Sequence, residues 1–127
     1  MKLETTKKAT ITSNWIKNVA ANGIQVANGA SLGPVIIKGN TVDHASAYYE
    51  SSYAPDAIEA DWCWAGIRVW QVSSSAPLIT DVSNNKVMNT PARCGAIGFT
   101  GRTQQTVSRI YQNSLDASNP YGLMWLN

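Results

Sequence analysis

The residues able to do covalent chemistry are few and badly placed for it. The chain has one histidine, His44, directly after Asp43, and two cysteines, Cys63 and Cys94. A Ser–His–Asp or Cys–His site would have to be built around His44. Ser31 stands in a Gly-x-Ser-x-Gly run, Gly29 to Gly33, but the β-branched run Val35–Ile37 follows where a nucleophile elbow needs a helix. Cys63 stands between Trp62 and Trp64, and apolar surroundings raise a thiol's pKa and quench it as a nucleophile. Glu59 and Asp61 share one face if their segment is extended, about 6.6 Å apart by the strand rise. A glycosidase pair must flank the scissile bond, whereas these two project from the same side. There is no His-x-x-x-His, no EF-hand spacing and no closely spaced cysteine pair. Gly95, Gly98 and Gly101 recur every three residues but lack the lysine of a phosphate loop. The sequence therefore reads as non-enzymatic, with no cofactor and no bound metal.

The aromatic residues carry more information. Trp62, Trp64 and Trp70 crowd together, with Tyr48, Tyr49 and Tyr53 just before them. Part of this set belongs to a core, because Trp is highly buried on average. Five Trp and five Tyr are hard to hide completely in 127 residues. Exposed rings among Asn, Ser and Asp suit sugar recognition: the ring stacks on the apolar face of a pyranose while short polar groups bind its hydroxyls. The candidate ligand-binding set is Tyr48, Tyr49, Tyr53, Asp61 and Trp70. One stacked ring and one carboxylate support only about millimolar affinity per site, so useful binding calls for a homo-oligomer and avidity.

The elements that would position these groups are short strands. Ile11, Ser13, Trp15, Lys17 and Val19 alternate along 8–19. Asn22-Gly23 and Asn28-Gly29 read as hairpin turns, with Ile24–Val26 a short strand between them. Residues 21–26 are echoed by 27–32, but two copies fall short of a solenoid, which needs three or more. Val35–Ile37 is a buried run between Pro34 and Gly39. The strongest strand signal covers 58–72, with Gly66 a bulge or bend inside it. Strands are also expected at 78–82, at 86–88 after an Asn84-Asn85 turn, at 96–99 and at 121–126. Residues 103–115 are expected to be helical, capped by Thr103, since Val107, Ile110, Tyr111, Ser114 and Leu115 fit one helical face. The alternation of Val107, Arg109 and Tyr111 also fits a strand. Seven to nine short strands with at most one or two short helices predict an all-β domain, an antiparallel β-sandwich or a closed β-barrel. Ile11, Ile36, Trp62, Trp64, Ile67, Val69, Ile79, Ile97 and Trp125 are the expected core.

Length and composition agree with one domain spanning 1–127, with residues 1–8 a candidate flexible arm. Apolar residues make up 44% and charged residues only 14%; Ser, Thr and Asn fill about a quarter of the chain. A net charge of +2 argues against nucleic acid as a partner. No apolar run is long enough to cross a bilayer as a helix. Polar residues stand where a secretory leader needs its apolar segment, which predicts a cytoplasmic protein or one released without a leader. On that ground Cys63 and Cys94 are expected to be buried thiols rather than a disulfide. Two functional classes fit: a glycan-binding module that recognises a cell-surface ligand, and a structural protein of a virion coat, decoration or tail.

Overall fold

The computed structural model describes residues 1–4, 8–28, 34–45, 65–71, 79–90, 95–101, 107–116 and 122–126, and all regular structure among them is strand. The strands are β1 (Lys2–Glu4), β2 (Ala9–Thr12), β3 (Trp15–Val19), β4 (Ile24–Asn28), β5 (Val35–Lys38), β6 (Thr41–Ala45), β7 (Ile67–Gln71), β8 (Ile79–Ser83), β9 (Lys86–Met88), β10 (Ile97–Gly101), β11 (Val107–Tyr111), β12 (Ser114–Leu115) and β13 (Leu123–Leu126).

Every third strand joins the same sheet. Sheet A runs β1-β4-β7-β10-β13, sheet B β11-β8-β5-β2, and sheet C β12-β9-β6-β3. All ten strand pairs are parallel. The chain thus winds A to B to C and back to A, laying one coil on the next. This is a parallel β-helix, a solenoid in which each coil pairs only with its neighbours.

The winding makes one column of side chains per inward position. Ile24, Ile67 and Ile97 stack in register on sheet A, all fully buried. Ile11, Ile37 and Val82 stack on sheet B, with Ile110 packed at the end of the column. Val42 and Val87 do so on sheet C, flanked by Ile16 and Leu115. β-branched side chains suit such columns because they are stiff and fill a pleated surface. Each fully buried Ile or Val contributes on the order of 1.5–3 kcal/mol.

The bend between sheets B and C is held by an asparagine ladder. Asn14, Asn40, Asn85 and Asn113 follow β2, β5, β8 and β11, at separations of 26, 45 and 28 residues. Each Nδ2 donates to the Oδ1 of the next rung: Asn14 to Asn40 at 2.9 Å, Asn40 to Asn85 at 3.0 Å, Asn85 to Asn113 at 2.9 Å. The backbone N–H of each of the first three donates to that same oxygen. Nδ2 also donates to a carbonyl at the end of a sheet B strand: Thr12, Ile11, Ile37 and Val82 in turn. The residue before each rung, Ser13, Gly39, Asn84 or Gln112, has positive φ, which turns the strand sharply at that point. Asparagine suits the bend because a short amide both donates and accepts where the sheet ladder is interrupted.

The bend between sheets C and A depends on small residues. A Cβ added to Gly23 would meet the Val42 side chain and come within 2.7 Å of the Gly66 carbonyl. One added to Gly66 would meet Val87 Cγ1 and the Ala96 carbonyl at 2.8 Å. Those same carbonyls take the preceding coil's amides: Ile24 donates to Gly66 and Ile67 to Ala96, both at 2.9 Å.

Several expectations are corrected here. The sheets are parallel, so neither an antiparallel sandwich nor a closed barrel forms. Alternation of apolar residues has period two in parallel and antiparallel strands alike, so it cannot report direction. Asn22-Gly23 and Asn84-Asn85 are bends between sheets, and the strands on either side of each pair with other coils rather than with each other. The helix expected over 103–115 is replaced by β11 and β12, with Gln112 at φ 54° between them. Ile36 is only half-buried, because it points outward between the inward Val35 and Ile37. Ile11, Ile67, Val69 and Ile97 are core residues as expected. Ile79 and Trp125 lie in β8 and β13, their side chains outside the description. Cys63, Cys94, Trp62, Trp64 and the Asn28-Gly29 turn as a whole also lie outside the described residues. Of the candidate arm, Lys2–Glu4 forms β1 beside β4, and the Met1 amino group donates to the Gly23 carbonyl at 2.6 Å.

Candidate functional site

The corner between sheets C and A is the place where the coils differ most. Between β3 and β4 it takes residues 20–23. Between β6 and β7 the chain leaves after Ala45 and regains sheet A at Ile67, with residues 46–64 intervening. Both ends of this excursion are pinned. Ala45 and Ala65 are fully buried. The Ala65 amide donates to Asn22 Oδ1 at 2.6 Å, and Asn22 Nδ2 donates to Gln25 Oε1 at 2.7 Å. A buried asparagine of the preceding coil therefore fixes where the excursion rejoins the stack.

Tyr48, Tyr49, Tyr53 and Asp61 all belong to this excursion and lie outside the described residues. Trp70 is in β7 of sheet A, in register with Ala27 and Thr100. The topology gathers the first four into one connection at one corner and puts Trp70 on the strand that follows it.

The open face of sheet C adjoins the start of the excursion. One outward row is Trp15, Thr41, Lys86 and Ser114; the next is Lys17, Asp43, Met88 and Asp116. Trp15 is 74% exposed, the most exposed large apolar side chain among those described. Lys86 and Ser114, two and three strands along the same row, are exposed as well. In the second row Lys17 Nζ lies 3.2 Å from Asp43 Oδ2, and Asn89 Nδ2 donates to Asp43 Oδ1 at 2.9 Å. The Asn89 hydrogen bond, then that of Lys17, holds the Asp43 carboxyl below its ordinary value against an opposing desolvation effect. Asp43 is therefore ionised at neutral pH, with both oxygens oriented. At the end of this face Asn18, His44 and Asn89 all have positive φ, and His44 Nδ1 is 3.2 Å from Asn18 Oδ1. The Asn89 amide donates to Asp116 Oδ2 at 3.0 Å.

The result is one exposed indole over a flat polar surface of fixed hydrogen-bonding groups. An exposed indole beside hydrogen-bonding groups of fixed position suits stacking on a flat apolar ligand face. Among the described residues no three His, Cys, Asp or Glu side chains converge on one point, and no helix is long and apolar enough to cross a membrane.

Trp15 and its row were missed in the sequence. Alternation along 8–19 put Trp15 on the face of Ile11, but the bend at Ser13-Asn14 breaks the strand and reverses the phase. The available signal was the recurrence of Asn, one residue, then an apolar residue: Asn14-Trp15-Ile16, Asn40-Thr41-Val42, Asn85-Lys86-Val87 and Asn113-Ser114-Leu115. Comparison of the chain with family models, curated proteins and solved structures finds no match. Function must be argued from this geometry.

Proposed function

We propose that the protein is a non-enzymatic glycan-binding module, with its site on the open face of sheet C and the excursion that follows it. The exposed Trp15 carries this reading. A solvated indole on a rigid sheet gains from stacking on the apolar face of a pyranose. Thr41, Lys86 and Ser114 follow along its row, and the exposed Lys17 and Asn89, which hold the buried Asp43, offer donors to hydroxyls of the same sugar or the next one. Tyr48, Tyr49, Tyr53, Asp61 and Trp70 supply further rings and a carboxylate from the adjoining connection and strand. Several copies would be needed, since each site supports only about millimolar affinity.

The test is a glycan array probed with the purified chain, followed by Trp15→Ala, Tyr49→Ala and Trp70→Ala. Removing a stacking ring should weaken binding about tenfold. Trp15→Ala should do so without moving the unfolding midpoint, because the ring is mostly in solvent. Binding to no glycan, or binding that survives all three changes, would defeat the reading.

A second reading, an assembly protein of a particle or fibre, is favoured by the sheet ends. β1 and β13, β2 and β11, and β3 and β12 are each paired on one side only among the described strands, and such edges template pairing with another chain. Light scattering separates the two: an assembly protein forms large particles, a binding module a small closed oligomer.

A further inference from the structure

We propose that the outward face of sheet B carries a second saccharide subsite, selective for acidic sugars and formed by Asp81, Ser83, Tyr111, Lys38 and Arg109. The inference rests on the glycan-binding reading and sharpens it to a ligand class. Strand register sets the layout. One outward row is Thr10, Ile36, Asp81 and Arg109; the next is Thr12, Lys38, Ser83 and Tyr111. Val82, between Asp81 and Ser83, is fully buried in the core, so its two neighbours on β8 point the other way.

Two polar atoms of β8 on this face are unsatisfied. Asp81 Oδ1 and Ser83 Oγ are buried and make no hydrogen bond, and Ser83 is 0% exposed. Buried polar atoms normally find partners, and two on adjacent outward positions of one strand mark a surface that is complete only when something donates to it. Tyr111 is 44% exposed and stands beside Ser83 in the same row. Its hydroxyl reaches into the neighbouring row, donating to Asp81 Oδ2 at 3.4 Å. The Tyr111 side chain thus spans from the row of Ser83 to the row of Asp81. That bond is longer than an ordinary O–H···O contact, so the ring is weakly held and can be turned aside by a ligand.

The charges select the ligand. Lys38 and Arg109 are exposed, and neither is ion-paired with a described residue. They stand on β5 and β11, either side of β8 and one row apart, with backbones about 12 Å from each other. Two free cations call for an anion. Asp81 between them disfavours a bare phosphate or a nucleic-acid backbone and calls for hydroxyl donors. Tyr111 adds a flat ring. An acidic saccharide offers all three features: a carboxylate for Lys38 or Arg109, hydroxyls for Asp81 and Ser83, and a C–H face for Tyr111.

The experiment is calorimetric titration of the whole chain with a hyaluronan tetrasaccharide, which carries glucuronate, and with neutral chitotetraose. The acidic ligand should bind at least about tenfold tighter. The double variant Lys38→Gln/Arg109→Gln should erase that preference and leave chitotetraose binding unchanged. Tyr111→Ala should weaken the acidic ligand alone. All three positions are exposed, and unchanged circular dichroism melts will confirm folding. Equal binding of the two sugars, or a preference that survives the double variant, overturns the subsite while leaving the sheet C reading in place. Binding of neither sugar overturns the glycan reading and this inference with it. Inorganic tripolyphosphate supplies the last control: if it displaces the acidic sugar at equal concentration, and Tyr111→Ala has no effect, the face is a bare anion patch and the proposal fails.

Discussion

Replacing Asn40 by alanine should destabilise the protein far more than the same change at Asn14, although both are rungs of one ladder. Asn40 is 1% exposed. Its Nδ2 donates to the Ile11 carbonyl and to Asn85 Oδ1, and its Oδ1 accepts from the backbone and the side chain of Asn14. Four hydrogen bonds are lost in Asn40→Ala, each with a net value of about 0.5–1.5 kcal/mol. The Ile11 carbonyl is left without its side-chain donor inside the stack, while Asn85 Oδ1 keeps the Asn40 backbone amide. The expected cost is about 3–4 kcal/mol, a large share of the stability of a small domain. Asn14 is half-exposed, and its side chain makes only two bonds, an exposed one to Thr12 and a part-buried one to Asn40. Asn14→Ala should cost about 1 kcal/mol. Equilibrium unfolding in urea measures both. A cost below about 1 kcal/mol for Asn40→Ala, or equal costs at the two rungs, would show that the columns of aliphatic side chains hold the bend and the amides merely fill it.

Two further outcomes are expected. Asp43 is held below the ordinary carboxylate value of 3.8 by Asn89 first and Lys17 second. A lowered native pKa adds stability that is fully present above 3.8 and lost as pH falls through the native value. The unfolding midpoint should therefore drop below about pH 4, and Asp43→Asn should flatten that drop; an unchanged acid limb would refute the assignment. Thr80 points into the core, fully buried, with its hydroxyl unpartnered, so Thr80→Val should raise stability by about 1 kcal/mol in thermal melts. A fall would mean that the hydroxyl has a partner in solution.

Strand content was legible in the sequence because short β-branched runs bounded by Gly, Pro and Asn mean strands in any β architecture. Direction was not, and the reason lies in particular residues. Asn22-Gly23 has the composition of a hairpin turn, yet Gly23 is there because Val42 and the Gly66 carbonyl leave no room for a Cβ. The repeat that defines the solenoid is one asparagine per coil, and residues 46–64 stretch its second interval to 45, so no constant period exists to detect. The aliphatic residues at 107–115 fit a helical face only if the left-handed bend at Gln112 is ignored. The candidate site shows the same split. Composition pointed to exposed aromatics among small polar groups, but which aromatic is exposed depends on the bend at Ser13-Asn14. Asp81 and Ser83 gain meaning only from register with Lys38, Arg109 and Tyr111, three coils' worth of chain brought side by side.

Ala45 and Ala65 are both buried and Asn22 fixes the point of return, so both ends of the coil are held by the stack. The register of all three sheets is the same before and after the excursion. A change in the length or composition of 46–64 therefore need not propagate into any column of the core. The corner offers a grafting point: both of its ends are held by buried residues of the stack, so an insertion there meets strands whose register is set on either side.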